Sequence, residues 1–465
     1  MMVKAYMTAR HLNLVAPLAQ KATAMHKTET AGRCQNVSGA IPPLIGAGLR
    51  QGDVDSAIER STQPTLTMPG IRISTTAIRT TTTRTTRCAP ALSADTSGRH
   101  HADFSFTELC QAYFDCRNSK RNTRSALAFE ANLERNLREL YDELHAGTYQ
   151  PGRSVCFIIT RPKPREVWAA EFRDRIVHHL FYNRIAPRFY ASFIADSCAC
   201  IPGRGTLYAA KRLEVKIRSI TENWSRPAFY LKCDLANFFV AIDKDIVYRQ
   251  LLKKIHEPWW QALASCILYH DPRQDFEYRG AISSMELVPP HKRLTNHASK
   301  HGLPIGNLSS QFFANVYLDE LDQFIKHRLK ARHYIRYVDD FVLLHESPQW
   351  LNGAHQTIAE FLPARLNAAL NESKTILQPV DRGVDFVGHL IKPWCRSTRK
   401  RTANGAITRC RQTPGDELFE VANSYFGLLS QAEKSHHRRC RLANDLRKRG
   451  HTINQKITKT YRRAA

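Results

Sequence analysis

Between residues 129 and 144 apolar side chains return at three- and four-residue steps (Phe129, Leu133, Leu137, Leu140, Leu144). That spacing predicts one amphipathic helix, and Gly147 stands where it should stop. Residues 154–160 form a short apolar run with strand character, broken by Pro-Lys-Pro-Arg at 162–165. Residues 172–193 read as a helix with Arg and His along one side, 229–234 as a strand, and 242–255 as a helix capped by Asp243. The stretch 271–301 reads as a long loop. A helix follows over 308–328 with apolar Phe312, Val316, Leu318 and Leu321, then two apolar half-strands around an acidic centre over 334–345. Residues 416–449 should be helical again, with Phe419, Ala422, Phe426 and Leu429 as the apolar stripe and Gly450 as terminator. Strands interleaved with helices predict an α/β or α+β body.

The first hundred residues carry no such pattern. Residues 74–86 are nearly pure threonine with two arginines and one apolar pair, and Pro, Gly and Ser flank them. Such a segment buries too little surface to offset chain entropy, so residues 1–100 are expected to be a low-complexity, disordered extension. A targeting peptide over the basic start is the alternative. Order should begin near Phe104. With 465 residues and 43% apolar content, two or three domains with sizeable cores fit.

Charge sharpens the picture. The net charge is +26, which favours polyanionic partners and salt-sensitive binding. Residues 1–100 contribute 12 Lys+Arg against 5 Asp+Glu, residues 101–391 contribute 38 against 32, and residues 392–465 contribute 18 against 5. Half the excess therefore lies in the last 74 residues, a backbone-gripping module in this reading and a solvated basic tail in the bland one. No apolar run is long enough to span a membrane. The twelve cysteines make no CxxC pair, and the close Cys198 and Cys200 lack a histidine cluster to complete a zinc set. They read as reduced, mostly buried thiols of a cytoplasmic protein.

Three sequence features bring chemistry. Tyr337-Val338-Asp339-Asp340 sits between apolar flanks, where adjacent carboxylates belong at a hairpin turn because a strand interior would leave them repelling and dehydrated. Leu231-Lys232-Cys233-Asp234 is a strand that delivers one carboxylate at its end, followed by Phe238 and Phe239. Phosphoryl transfer to a 3′-hydroxyl uses two Mg²⁺ roughly 4 Å apart, and three carboxylates from two neighbouring strands supply that cage. Oxygen ligands suit Mg²⁺, or Mn²⁺, and not zinc. Gly302-Leu303-Pro304-Ile305-Gly306-Asn307 opens the helix before the acidic hairpin, and its glycines permit close backbone approach to a template and nucleotide. An ordinary Gly/Pro turn capped by Asn307 is the bland alternative.

In this order, the Asp234 strand, the Gly-Leu-Pro-x-Gly helix, the Tyr-Val-Asp-Asp hairpin, Lys374, and then Phe386-Val387-Gly388-His389, the chain resembles the reverse transcriptases over roughly residues 103–465. The resemblance implies an α+β right-hand polymerase, with the fingers and the start of the palm over 101–228, a palm with an antiparallel sheet, the catalytic motifs and the primer grip over 229–391, and a basic helical thumb over 392–465. It implies Asp234, Asp339 and Asp340 as catalytic metal ligands for two Mg²⁺, Lys374 as the motif D lysine, and Phe386, Val387, Gly388 and His389 as the primer grip. Nucleotide contacts would fall to Lys163 and Arg165, ahead of Arg173 and Arg175, and to Ile305, Gly306 and Gln311. Some of these arginines should pair with Glu166 or Glu171. Phe239 matches the steric gate that rejects a ribose 2′-hydroxyl, with Phe238 better suited to the core. Gly203-Arg204-Gly205 resembles a finger motif near the template. Arg438, Arg439, Arg441, Arg447, Lys448 and Arg449 would follow duplex phosphates.

Within that family, three stretches resemble the enzymes of diversity-generating retroelements. These are Ile305-Gly306 ending in Ser310-Gln311, the run from Lys374-Thr375-Ile376-Leu377-Gln378-Pro379 into Gly383-Val384-Asp385-Phe386, and Ala422-Asn423-Ser424-Tyr425-Phe426-Gly427 with Ser435-His436-His437. No maturase extension, endonuclease or RNase H is expected after the thumb, and the retron Val-Thr-Gly triplet does not occur. The implied activity is error-prone RNA-directed DNA synthesis in retrohoming, chiefly misreading template adenines. The implied partners are template RNA, cDNA or primer, dNTPs and a small basic accessory bundle, with no membrane. The alternatives are another prokaryotic reverse transcriptase, retron-like or used in phage defence, and a non-catalytic nucleic-acid-binding protein of the same fold.

Overall fold

The computed structural model describes residues 102–118, 123–161 and 163–461, together with a two-strand pairing of Leu44–Ile45 with Leu49–Arg50. The expectation for the remainder of residues 1–100 lies outside the described residues. Over residues 102–461 the described part folds as an α+β protein, with three small sheets inside a helical frame. Among the described residues no helix is long and apolar enough to cross a membrane.

Helices α1 (Phe106–Arg117), α2 (Arg124–Glu130) and α3 (Leu133–Ala146) come first. Ser105 starts α1 with a reciprocal capping box to Glu108, satisfying two otherwise orphaned N–H groups. The single helix expected over 129–144 is two. Asn132, with φ −129° and ψ 48°, leaves helical space and begins α3, and the heptad-like spacing spans the break because Phe129 packs into the same core. Gly147 ends α3 in the left-handed region at φ 72°, as its position predicts.

The fingers sheet joins β1 (Ser154–Ile159), β2 (Arg165–Ala169) and β4 (Phe276–Arg279) in the order β2-β1-β4. β1 pairs with β2 antiparallel and with β4 parallel. The expected 271–301 loop therefore contains a strand. Its partner is more than a hundred residues upstream, so local pattern carries no sign of it. Between these elements run α4 (Phe172–Tyr190), α5 (Thr206–Ile220), β3 (Phe229–Cys233), the short α6 (Phe238–Ala241), α7 (Lys244–Leu252) and α8 (Pro258–Tyr269). Asp243 caps α7 as expected, accepting from the N–H groups of Asp245 at 2.9 Å and Ile246 at 3.3 Å.

The central sheet is antiparallel throughout, in the order β5 (His333–Tyr337), β6 (Asp340–His345), β3, β7 (Ile376–Pro379). Helices α9 (Leu308–Gln323) and α10 (Pro348–Leu366) cover it and share one continuous apolar core with α4 and α8. A third sheet, β8 (Val384–Phe386), β9 (His389–Lys392) and β10 (Cys395–Thr398), is an antiparallel meander.

Three helices end the chain: α11 (Lys400–Gln412), α12 (Gly415–Ser430) and α13 (His436–Lys448). They hold a separate small core of Leu418, Ala422, Phe426, Leu429, Leu442 and Leu446. Leu418, not Phe419, takes the first buried place of the α12 stripe, and Phe419 is half-buried outside that core. The ten cysteines of the described region are free thiols, seven of them buried.

Candidate active site

Side chains alternate along a strand, so Lys232 and Asp234 project from the same face of β3. The β3–β6 register pairs Cys233 with Phe341, so the next step opposes Asp234 to Asp340. Across the same hairpin Tyr337 pairs with Asp340, which leaves Val338 and Asp339 as a two-residue turn. One acidic residue thus meets an adjacent acidic pair, distant from it in sequence, at one end of the central sheet. Val338 lies at φ 56°, a conformation that costs a β-branched residue about 1–2 kcal/mol. The turn is strained, and something must hold it.

Electrostatics record the crowding. Burial first, then the charges of Asp340 and Asp234, push the Asp339 carboxyl up to about 7. Burial also raises Asp340, whose carboxyl lies within hydrogen-bonding reach of Asp234, while Lys232 pulls the other way from 3.8 Å. Lys374 forms an ion pair with Asp234 Oδ2, and Asn371 Nδ2 donates to the same oxygen at 3.3 Å. Among the described residues no three acidic, His or Cys side chains are gathered as a finished metal cage. The donor set nevertheless fits a hard divalent cation. It offers oxygen ligands alone, mutually repelled and partly neutralised by two lysines, at a place where added positive charge lowers the energy.

The fingers cations divide into two groups. Arg165 opens β2 and lowers the energy of the Asp339 carboxylate. Lys163 is exposed, and its ammonium is disfavoured by partial desolvation and then by the like charges of Lys374, Lys292, Arg165 and Arg401. Arg173 instead pairs with Glu143 and Asp174, and Arg175 is buried, donating to the Ala170 carbonyl at 2.8 Å. Glu166 takes a different set of partners. It is buried and accepts from Trp168 Nε1 at 3.2 Å and from the Leu294 N–H at 2.7 Å. Arg204 is spent on the carbonyls of Ile194 and Ser197.

The glycine-rich entry to α9 is stitched to β2. The Trp168 N–H donates to the Ile305 carbonyl at 2.7 Å, and Asn307 Oδ1 accepts from the Ala170 N–H at 3.1 Å, so Asn307 ties two elements and makes no side-chain cap of its own helix. Ile305 packs on Phe157, Ile159, Val167 and Ala169. At Gly306, φ is 129° and a Cβ would come 2.9 Å from Val167 Cγ1 and 3.0 Å from the Trp168 carbonyl oxygen. Gln311 is buried inside α9. Phe238 is buried in the core and Phe239 half-exposed beside it, with ring centroids 5.2 Å apart.

The Phe386–His389 segment is a hairpin turn between β8 and β9, with Val387 at φ 44° and Gly388 at φ 85°. Phe386 and His389 are fully buried, and the turn residues Val387 and Gly388 between them are partly exposed. In the thumb the six expected cations are not equivalent. Arg438 donates to Thr398, Arg439 to the carbonyls of Lys456 and Ile457, and Arg449 to those of Cys410 and Thr413. These three hold the thumb together. Arg441, Arg447 and Lys448 are exposed, Arg447 donating to Asn444 Oδ1 at 3.2 Å.

Sequence reasoning passed over Lys232, Asn371, Lys292 and Arg401. Lys232 was legible, because a charged residue two before Asp234 in an apolar strand must share its face. Lys292 was not. Hydrogen bonds from Leu294 and Thr295 to Glu166, and the packing of Leu294 with Trp168, bring its turn beside β2.

An antiparallel sheet with this acidic end, flanked by a cationic fingers sheet and a helical thumb, defines an α+β polymerase fold. Residues 161–391 match the family model described as reverse transcriptase (RNA-dependent DNA polymerase), so the chain carries a reverse-transcriptase domain. It is also similar to protein YkfC of Escherichia coli (strain K12), 24% identical over 334 residues that cover 64% of this chain and 81% of that protein. Among solved structures, it is similar to telomerase from Candida albicans in complex with the TWJ fragment of telomeric RNA, at 12% identity and TM-score 0.41. It is similar too to apo telomerase from Candida tropicalis truncated from its C-terminal domain, at 12% identity and TM-score 0.38. This chain covers 54% and 56% of those two telomerase chains.

Proposed function

We propose that this protein is an RNA-directed DNA polymerase that copies with low fidelity, acting in a diversity-generating retroelement. The observation that carries the catalytic part is the meeting of Asp234 with Asp339 and Asp340 at the end of the central sheet, faced by Arg165. Asp234, Asp339 and Asp340 would hold two Mg²⁺, with Mn²⁺ as substitute; when bound, such ions activate a 3′-hydroxyl and neutralise a leaving pyrophosphate.

The chain's own side chains supply the remainder. Arg165 and Lys163 take the triphosphate, Arg165 by bidentate bonding. Lys374, an ammonium already at the acidic end, is placed to give up its carboxylate partner and hold a proton near the departing phosphate. Phe239 presents a half-exposed ring where a ribose 2′-hydroxyl would press, so deoxynucleotides are preferred. Template RNA and the growing cDNA would lie against the thumb cations Arg441, Arg447 and Lys448. A small basic accessory bundle is the expected protein partner, and the cytoplasm the expected compartment.

Low fidelity rests on Ile305. A polar side chain at that place would hydrogen-bond near the nascent pair, and a lost hydrogen bond is worth about 1 kcal/mol, or several-fold in discrimination. The test supplies template RNA, primer, dNTPs and Mg²⁺ and sequences the cDNA. Extension should vanish in Asp339→Ala, and misincorporation opposite adenine should fall in Ile305→Gln. Extension that survives Asp339→Ala excludes the chemistry, and an unchanged error spectrum in Ile305→Gln leaves that residue a packing group on the fingers sheet.

A further inference from the structure

Arg336 lies in β5, three residues before Asp339, and both it and Asp322 of α9 are 1% exposed. Every N–H of its guanidinium is used. Nε donates to Asp322 Oδ1 at 2.8 Å, and Nη2 to Asp322 Oδ2 at 2.6 Å and to Ser197 Oγ at 2.9 Å. Nη1 donates to Asn315 Oδ1 at 3.3 Å and to the Val338 carbonyl at 3.0 Å. Asp322 in turn accepts from the Tyr334 hydroxyl at 2.7 Å. The backbone is fastened as well, with the Arg336 N–H on the Asp196 carbonyl at 2.9 Å and its own carbonyl accepting from Cys198 at 3.0 Å.

A buried ion pair of this kind repays its desolvation poorly, and an apolar pair of similar volume often serves stability as well or better. Stability alone therefore does not account for it. Four of the five bonds join Arg336 to helix α9 and to Ser197. The fifth reaches the carbonyl immediately before Asp339, on the residue held at φ 56°. That carbonyl sits in the strained turn that carries two of the three carboxylates, and the guanidinium is anchored to a helix that does not share the turn's strain.

We propose that Arg336 is a positioning residue, its Nη1 pinning the Val338 carbonyl so that Asp339 and Asp340 keep the spacing at which they share divalent cations with Asp234. Asp322 and Asn315 orient the guanidinium, and Ser197 ties it to the segment leading out of α4. The inference rests on the metal-dependent reading above and names a residue outside the carboxylate set.

The test measures Mn²⁺ binding to the full chain by electron paramagnetic resonance of the free ion, alongside thermal unfolding and single-turnover primer extension. Arg336→Lys keeps a charge for Asp322 but cannot also reach Val338. It should bind Mn²⁺ about tenfold more weakly and extend at least about tenfold more slowly, with the KM for dNTP within about twofold. The apolar pair Arg336→Met with Asp322→Leu should recover thermal stability without recovering Mn²⁺ affinity, which a merely structural ion pair would not produce. Either variant, folded and binding Mn²⁺ as the wild type does, overturns the proposal, as does a wild type that binds no Mn²⁺. A wild type whose Mn²⁺ binding depends on Arg336 but which never extends a primer supports this role and removes the polymerase reading instead.

Discussion

Replacing Gly306 by alanine separates two costs that most glycine substitutions confound. The backbone at φ 129° is one that L-residues rarely adopt, a penalty of about 1–3 kcal/mol. The added methyl also meets Val167 Cγ1 at 2.9 Å and the Trp168 carbonyl oxygen at 3.0 Å. The valine methyl can swing aside, but the carbonyl is backbone, locked in the fingers sheet by the β1–β2 ladder. Relief therefore pushes the α9 entry away from β2 and strains the 2.7 Å bond from Trp168 to Ile305, a net loss of about 1 kcal/mol if broken. The total is about 2–4 kcal/mol. Gly203 is the control, at φ 76° with nothing within 4 Å of an added Cβ, so its alanine variant carries the conformational cost alone, about 1–2 kcal/mol. Urea unfolding of both variants measures the difference, and Gly306→Ala should also raise the KM for dNTP because the two halves of the proposed nucleotide site part there. Equal losses at the two glycines would refute the close-approach argument.

Asp339→Asn should reduce primer extension at least about a thousandfold without loss of folded protein, checked by extension assay and circular dichroism. Asp319, pushed up to about 6 chiefly by burial and then by Asp322, favours its protonated form in the fold. The unfolded chain releases that proton first, so stability should fall as pH rises from about 4 to 6. Asp319→Asn should then gain about 1–3 kcal/mol at pH 7.5 and nothing at pH 4, read from paired denaturation curves. Arg449→Ala, which abandons the Cys410 and Thr413 carbonyls, should destabilise the thumb by about 2 kcal/mol in thermal unfolding. Arg441→Ala should instead leave stability unchanged and lower the slope of log affinity against log salt by about one in nucleic-acid titrations.

The elements that could be read directly were those whose partners are near in sequence or whose pattern is strict. The acidic hairpin followed from two apolar half-strands around Asp339 and Asp340, and the α7 start from Asp243, because a cap acts within three residues. The division of α2 from α3 was hidden because Phe129 and Leu133 both face the core, so the apolar rhythm runs through a backbone that does not. The strand at 276–279 was hidden because its pairing is remote. At the site, residue type revealed the carboxylates but not which cations serve them. Arg173 and Arg165 look alike in sequence, yet one is captured by Glu143 and the other faces Asp339. The thumb arginines teach the same lesson, since a basic run does not disclose that Arg438, Arg439 and Arg449 bond to carbonyl oxygens.

The parallel pairing of Ser154 with Phe276 has a consequence for biosynthesis. The fingers sheet needs residues that leave the ribosome 122 positions after its first strand, and after β3 has already emerged. At about 5–20 residues per second, the early strands wait on the order of ten seconds with one edge unpaired. That nascent edge is where a chaperone would be needed, and slowing translation between codons 160 and 276 should increase misfolding of newly made chains.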